Sequence, residues 1–280
     1  MKISELMMQG SAILRENGIP SAVLDAQLLL GRYLNADRMF IVNNRNCDLE
    51  EYDGYFDLIS RRAAHEPIAY ILNTKEFMGI DFYVDKNVLI PRPDTETLAE
   101  RMIEKIGRKR VNIIDIGTGS GCISVSILKN CPHCRAVGAD ISEEAIKIAE
   151  KNAAGNGVAK RFKTVNCDIL KEIPEGSFDV IVSNPPYIEP EVIAGLEPDV
   201  KDYEPYGALC GGADGLDFYR RISEIGKKIL KPKYLIAFEV GYNQSEAVTE
   251  ILKKDGYENI AAVPDLAGIQ RVVTAQSSKF

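Results

Sequence analysis

The chain has 280 residues, 45% of them hydrophobic and 27% charged, enough for one large domain or two unequal ones. This composition excludes wholesale disorder, collagen-like repeats and a disulfide-stapled miniprotein. Lys and Arg number 34 against 41 Asp and Glu, a net charge of -7; that field repels free nucleic acid, so a protein or small-ligand partner is expected and stable nucleic-acid binding is not.

No window approaches the roughly 18 uninterrupted apolar residues of a membrane span, and Met1 to Gly10 lacks the layout of a signal peptide. A cytoplasmic protein without membrane association is expected. The cysteines Cys47, Cys122, Cys131, Cys134, Cys167 and Cys210 are scattered, so reduced thiols and no structural disulfide are expected.

In chain order, Ile3, Leu6, Met7, Ile13 and Leu14 follow helical spacing up to Asn17-Gly18, and Ser21 opens a second helix through Leu34. Tyr52, Tyr55, Phe56 and Ile59 predict a third amphipathic helix; at this spacing the aromatic residues pack a core rather than line a ligand box. Residues 1–73 thus read as a helical domain. Residues 74–90 turn strand-like around Gly79 and predict a β-hairpin connector. Pro91-Arg92-Pro93 then marks a boundary, with Asp94 the expected cap of a helix running from Thr95 to Ile106.

Over residues 91–280 strands and helices alternate. Strands are expected at Val111–Ile116, Ala136–Ala139, Phe162–Val165, Phe178–Val182 and Tyr234–Val240, and near Ile260–Val263 and Arg271–Thr274. Helices are expected at Cys122–Leu128, Glu143–Asn152, Phe218–Leu230 and Glu246–Lys254. The fold class is α/β, a Rossmann-like domain with a mostly parallel sheet, preceded by the small helical domain and the hairpin connector.

Asp115-Ile116-Gly117-Thr118-Gly119-Ser120-Gly121 lies where a buried strand gives way to a helix. Its glycines allow a tight turn and close approach of a ligand to backbone amides. Glycine-rich turns of this kind serve many nucleotide folds. Asp140, at the next strand's end, is placed to accept from ribose hydroxyls, and Asp168, after the strand Phe162–Val165, from an adenine amino group. The spacing is G-x-G-x-G rather than G-x-G-x-x-G, which favours S-adenosylmethionine over a dinucleotide.

Ser183-Asn184-Pro185-Pro186-Tyr187 follows the strand ending at Val182, on the same sheet edge as the glycine loop. Its prolines freeze the backbone while leaving carbonyls free, Asn184 adds an acceptor, and Tyr187 can stack on a flat group. Such a site fits a planar amino group. The nitrogen of an amide or aromatic amine is a poor nucleophile, so methyl transfer to it needs acceptors that hold its N–H bonds and aim it at a sulfonium.

With these residues in view, the chain resembles the release factor glutamine methyltransferase family, also called HemK or PrmC, over nearly its full length. The segments that carry the resemblance are Glu66–Leu72, Glu76-Phe77 with Gly79, Val88–Glu96, Gly211–Tyr219, Glu239–Gln244 and Asp265–Gly268. The resemblance implies methyl transfer from S-adenosylmethionine, with S-adenosylhomocysteine as product and no metal. The acceptor would be the side-chain amide nitrogen of the glutamine in the Gly-Gly-Gln motif of class I peptide chain release factors. It implies cofactor contacts from Gly117, Thr118, Gly119, Ser120, Gly121, Asp140, Asp168 and Asn184. Asn184, Pro185, Pro186 and Tyr187 would hold the glutamine, with Asn184, Pro185 and Tyr187 catalytic, and the helical domain would help dock the release factor. Three positions depart from the family pattern: Asp94 replaces a common Glu, Asn73 a common Gly, and Lys231-Pro232-Lys233 a Pro-Gly-Gly turn.

Two other readings remain at this level. Asn-Pro-Pro-Tyr alone is similar to DNA and RNA amino-methyltransferases, which the acidic charge disfavours, and a cofactor-binding protein without catalysis conflicts with the intact Asn184–Tyr187 segment. Cys131-Pro132-His133-Cys134 looks like a redox dithiol, but it follows a helix instead of opening one and has no second Cys pair to complete a zinc site. His65 and His133 fall away from the expected cofactor edge, so a histidine base is not expected. Residues Glu191–Tyr206 form either a mobile loop over the site or an ordered surface loop. With no coiled-coil seam, a monomer is expected.

Overall fold

A computed structural model of the chain describes residues 1–277, which divide into two compact units. The first comprises Met1–Thr74 and Glu197–Tyr203. Its helices within Met1–Thr74 are α1 (Ile3–Glu16), α2 (Ala22–Leu34), α3 (Arg38–Asn43), α4 (Asp53–Ala63) and α5 (Ile68–Leu72). α1 stops at Asn17 and α2 begins after Ser21, where the apolar spacing ends and restarts. α3 and α5 went unread because six and five residues are too few for a 3.6-residue period to repeat. Leu6, Leu14, Leu29, Tyr55 and Ile59 share one core, and the Tyr55 hydroxyl donates to the carbonyls of Leu6 and Ala26, each at 3.3 Å. Tyr55 is therefore core. Buried Asp25 accepts from Arg62 Nε at 2.7 Å, a pairing that keeps neither charge isolated in the interior. The Tyr203 hydroxyl, from the later segment, donates to the Ala64 carbonyl at 2.6 Å.

The second unit, Lys75–Leu196 with Glu204 onward, opens with the hairpin β1 (Lys75–Phe77) and β2 (Ile80–Phe82). Met78 and Gly79 both take positive φ, 54° and 72°, the twist that a two-residue hairpin turn requires. β2 ends at Phe82, so residues 83–90 of the stretch read as the hairpin connector lie outside both strands. α6 (Pro93–Ile106) follows, and here the capping expectation is corrected: Arg92 is the N-cap, Pro93 holds the first turn, and Asp94 lies inside the helix. Proline at this position has its φ preset and no N–H to leave unpaired, while Asp94 still favours the helix through the dipole.

Next come β3 (Asn112–Ile116), α7 (Cys122–Asn130), β4 (Arg135–Asp140), α8 (Glu143–Gly155), β5 (Phe162–Asn166) and β6 (Phe178–Ser183). Two short helices, α9 (Pro190–Ile193) and α10 (Pro198–Lys201), fall in the Glu191–Tyr206 stretch that the sequence left open between a mobile and an ordered loop, and α11 (Tyr206–Leu209) begins at its end. The chain ends with α12 (Asp217–Ile229), β7 (Leu230–Glu239), α13 (Ser245–Lys254), β8 (Tyr257–Pro264) and β9 (Gln270–Ser277). The sheet order is β5-β4-β3-β6-β7-β9-β8. β3 to β7 pair in parallel, and β9 is antiparallel to both β7 and β8. Two apolar clusters serve this unit, one including Leu98, Val125 and Ala149 from α6, α7 and α8, the other Ile222, Ile225 and Val248 from α12 and α13. β6 is buried at every residue, as a central parallel strand covered on both faces must be.

Two departures from the family pattern sit on left-handed backbone, Asn73 at φ 55° and Lys233 at φ 66°. Asparagine adopts this conformation readily, lysine only at a cost. Lys233→Gly is expected to raise unfolding free energy by about 0.5–1 kcal/mol, read as a higher urea midpoint at unchanged slope. An unchanged or lower midpoint would show that the turn is not strained.

Candidate active site

β3 lies between β4 and β6, with β5 beyond β4, so the winding of the sheet reverses between β3 and β6. A crevice opens beyond the carboxyl ends of strands at such a point, and the glycine loop and Asn184 leave the sheet on its two sides. The Ser183 hydroxyl ties the strand ends together by donating to the Ile116 carbonyl at 2.6 Å.

The glycine loop is held by its own amides. Gly117 and Thr118 N–H both donate to the Ala139 carbonyl, at 2.8 and 3.1 Å, and Gly119 N–H donates to Asp140 Oδ2 at 2.9 Å. Gly117 and Gly119 have φ of 73° and 53°, with open space where a side chain would stand. Gly121 differs, because a Cβ there would sit 3.2 Å from Ala149 Cβ, so it lets α7 approach α8 and is not part of the cavity lining. Asp115 turns inward and accepts from the hydroxyls of Thr118 at 2.9 Å and Ser124 at 2.8 Å. Burial pushes its carboxyl up to about 6, with those hydroxyls holding it lower.

A cavity of about 520 Å³ gathers Gly117, Thr118, Gly119, Ser120, Asp140, Asp168, Asn184, Pro185 and Pro186. Asp140 is largely desolvated, which raises its carboxyl, while amide donors from Ser142 and Gly119 draw it back. Asp168 pairs with Lys171 Nζ at 2.7 Å, and that hydrogen bond holds it below the usual carboxylate range. Asn184 Nδ2 donates to Thr95 Oγ1 at 3.2 Å. Its Oδ1 makes no hydrogen bond among the described residues and remains available as an acceptor. Tyr187 is not brought into the cavity lining. Its hydroxyl faces Glu239 Oε1 at 3.5 Å and its carbonyl accepts from Gln244 Nε2 at 3.0 Å, while burial drives the phenol well above its ordinary value.

Several site residues were not singled out as such in the sequence. Arg92 and Thr95, from the start of α6, line the cavity, as do Pro205 and Tyr206. A Cβ on Gly211 would lie 2.6 Å from Tyr187 Cα, so this glycine admits the Asn-Pro-Pro-Tyr backbone. Asn152, in mid-α8, accepts from Tyr83 N–H at 2.7 Å and donates to the carbonyls of Tyr83 at 2.9 Å and Ser120 at 2.8 Å, joining the segment after β2 to the glycine loop. Its signal is a polar residue on a buried helical face. Cys131 and Cys134 are buried free thiols, and burial pushes Cys131 up to about 11, far from an activated dithiol. Neither His65 nor His133 lines the cavity. Among the described residues no cluster of three or more His, Cys, Asp or Glu could hold a metal ion, and no helix is long and apolar enough to cross a membrane.

Two family models match the chain: the PrmC N-terminal domain over residues 5–72 and the methyltransferase small domain over residues 93–195. The release factor glutamine methyltransferase of Clostridium acetobutylicum is 44% identical over 280 residues, covering 98% of each chain. That of Clostridium botulinum is 41% identical over 281 residues, covering 99% of each. The chain belongs to the release factor glutamine methyltransferase family. The family's N-terminal model falls wholly inside the Met1–Thr74 part of the first unit, and its methyltransferase model runs from the start of α6 past Asn184. Among solved structures, a methyltransferase from Pyrococcus furiosus shares the fold at TM-score 0.54 and 19% identity, over 81% of this chain and 100% of that one. The hMettl16 catalytic domain, solved with the MAT2A 3'UTR hairpin 6, does so at TM-score 0.55 and 20% identity, over 80% and 82%.

Proposed function

We propose that this enzyme transfers a methyl group from S-adenosylmethionine to the side-chain amide nitrogen of the glutamine in the Gly-Gly-Gln motif of class I peptide chain release factors. The observation that carries this reading is Asn184, in one cavity with the glycine loop, its Nδ2 occupied by Thr95 and its Oδ1 left to accept.

The cavity residues fit the cofactor. Gly117 and Gly119 leave space beside the loop for a ligand, with Asp140 to accept from ribose hydroxyls and Asp168 from an adenine amino group. Ile141, Ile169 and Leu170 offer apolar surface to an adenine ring, and about 520 Å³ lies within the range of small-molecule sites. Gly117 to Ser120, Asp140, Asp168 and Asn184 form the cofactor site in this reading, with Gly121 setting the approach of α7 to α8 behind them. When bound, S-adenosylmethionine supplies an electrophilic methyl group on a positively charged sulfur.

Asn184 Oδ1 and the Pro185 carbonyl accept the two N–H bonds of the glutamine amide and orient its nitrogen for in-line attack. The same acceptors stabilise the positive charge that grows on nitrogen. Pro186 stiffens the turn, and Tyr187, anchored through both hydroxyl and carbonyl, fixes its direction. The nitrogen would pass its proton to solvent once the methyl has begun to arrive, with S-adenosylhomocysteine as the leaving group, so no histidine base is needed. The helical unit docks the release factor, and the protein works as a cytoplasmic monomer.

The test is mass spectrometry of a class I release factor incubated with the protein and S-adenosylmethionine. One added methyl on the Gly-Gly-Gln glutamine is expected. An unmodified glutamine under conditions where the cofactor binds would reject the reading, and label appearing on DNA or RNA instead would establish the amino-methyltransferase alternative.

A further inference from the structure

Asn184 must present its oxygen to the substrate, yet an asparagine side chain is nearly symmetric in shape and a half-turn about χ2 exchanges oxygen for NH2. A flipped Asn184 would point donors at a substrate nitrogen that itself carries two N–H bonds. Something beyond the proline-stiffened backbone has to select one orientation, and the residues that can do so lie around Glu239.

Glu239 ends β7, and the pairing of Ser183 with Phe238 sets it alongside Asn184. It is 1% exposed. Its Oε1 faces the Tyr187 hydroxyl at 3.5 Å, and its Oε2 has no hydrogen-bond partner among the described residues. The Thr95 hydroxyl, which receives Asn184 Nδ2–H, is also the strongest single influence holding Glu239 toward its charged form, ahead of the Arg271 guanidinium. A hydroxyl whose proton is drawn to a carboxylate keeps its lone pairs for an amide N–H such as that of Asn184. One acid thus borders both ends of the Asn184–Tyr187 segment.

We propose that Thr95 and Glu239 are positioning residues for methyl transfer: Thr95 selects the orientation of the Asn184 amide, and Glu239 orients the Thr95 hydroxyl while steadying Tyr187. This rests on the methyltransferase reading above and adds the means by which its central residue is aimed. Glu239 is a carboxyl that the chemistry itself does not consume, and a buried acid is costly unless it is partnered. Hydrophobic packing would serve stability as well, so its placement beside the two anchor points of the catalytic turn is accounted for by orientation.

The proposal also predicts a pH signature. Desolvation raises the Glu239 carboxyl to about 7. The groups facing it are Thr95 and Asp94 on α6, Arg271 on β9, Tyr187 after β6, Tyr219 on α12 and Cys122 on α7. Of these Asp94 adds to the rise and Arg271 opposes it. As pH falls through this range Glu239 gains a proton and becomes a weaker acceptor for Thr95, so kcat declines on the acid side. Removing the titrating carboxyl removes that limb.

The experiment compares wild type, Thr95→Val, Thr95→Ser and Glu239→Gln as full-length proteins, with a class I release factor as methyl acceptor. Thr95→Val is expected to lower kcat by about tenfold or more, the range of contacts that orient a reacting group without touching it, with KM for the release factor within about twofold. Thr95→Ser restores most of the lost kcat, and Glu239→Gln is slow with a flat profile from pH 6 to 8, a window about one unit either side of the carboxyl's titration. A second readout needs no turnover: the side-chain NH2 signals of Asn184 in 15N NMR spectra, assigned by their loss in Asn184→Ala. In wild type they report a bonded amide, and in Thr95→Val they broaden or shift toward the free position. Unchanged Asn184 signals in Thr95→Val, or kcat in both Thr95→Val and Glu239→Gln within twofold of wild type, would overturn the proposal. Absence of turnover by wild type would instead count against the methyltransferase reading, and the NMR comparison would still decide this one.

Discussion

Asn184→Ala is expected to lower kcat for glutamine methylation by about 100- to 1,000-fold, the cost of removing one preorganised acceptor, about 3–4 kcal/mol of transition-state stabilisation. The amide nitrogen of glutamine holds its lone pair in conjugation with the carbonyl, so its nucleophilicity depends on groups that accept both N–H bonds as charge develops. Asn184 Oδ1 is placed for this because Nδ2 is already committed to Thr95. Alanine leaves the rigid Pro185-Pro186 turn in place, so release factor binding should change far less than turnover. Single-turnover methyl transfer at saturating cofactor, with cofactor affinity measured separately by calorimetry, isolates the chemical step. Turnover within tenfold of wild type, with cofactor bound, would remove Asn184 from the catalytic centre.

Asp140→Ala is expected to weaken S-adenosylmethionine binding by about 100-fold, near 2.7 kcal/mol, the loss expected if, as proposed, its carboxylate accepts from two ribose hydroxyls through charge-assisted hydrogen bonds. Asp140 also shapes the site before any ligand arrives. Its Oδ2 accepts from Gly119 N–H at 2.9 Å and its Oδ1 from Ser142 N–H at 3.0 Å, so it joins the glycine loop to the start of α8. Alanine therefore removes a ligand contact and loosens the loop that forms the other wall. Isothermal titration calorimetry reads the change directly, and a dissociation constant within threefold of wild type would exclude Asp140 from the cofactor site.

The elements that were legible in the sequence are those with enough residues to repeat a period. α1, α2, α8 and α12 each run 13 or 14 residues, and their apolar faces declare them. Where the chain changes direction quickly, other constraints decide. α3 and α5 are too short to show a period, and α6 begins at Pro93 rather than after Asp94 because proline suits a helix's first turn better than an extra capped residue before it. Of the cavity lining, Gly117, Gly119, Asp140 and Asn184 were legible because each lies at or just after the end of a strand in a fold whose ligands gather at strand ends. Gly121 shares the motif but serves helix packing against Ala149, a distinction that no spacing carries.

What the sequence by itself determined is the alternation of strands and helices, the acids and glycines at their ends, and the Asn184–Tyr187 motif on which the proposed amino-group methyl transfer rests. All of these are local: a period, a turn or a motif is complete within a few neighbouring residues. Tertiary structure alone decided that β6 returns beside β3, bringing the glycine loop and Asn184 to one cavity. It alone set Thr95 against Asn184 across 89 positions of chain and turned Tyr187 toward Glu239, 52 positions away. Side-chain contacts at such separations depend on strand order and register, and these are settled by burying both faces of the sheet at once.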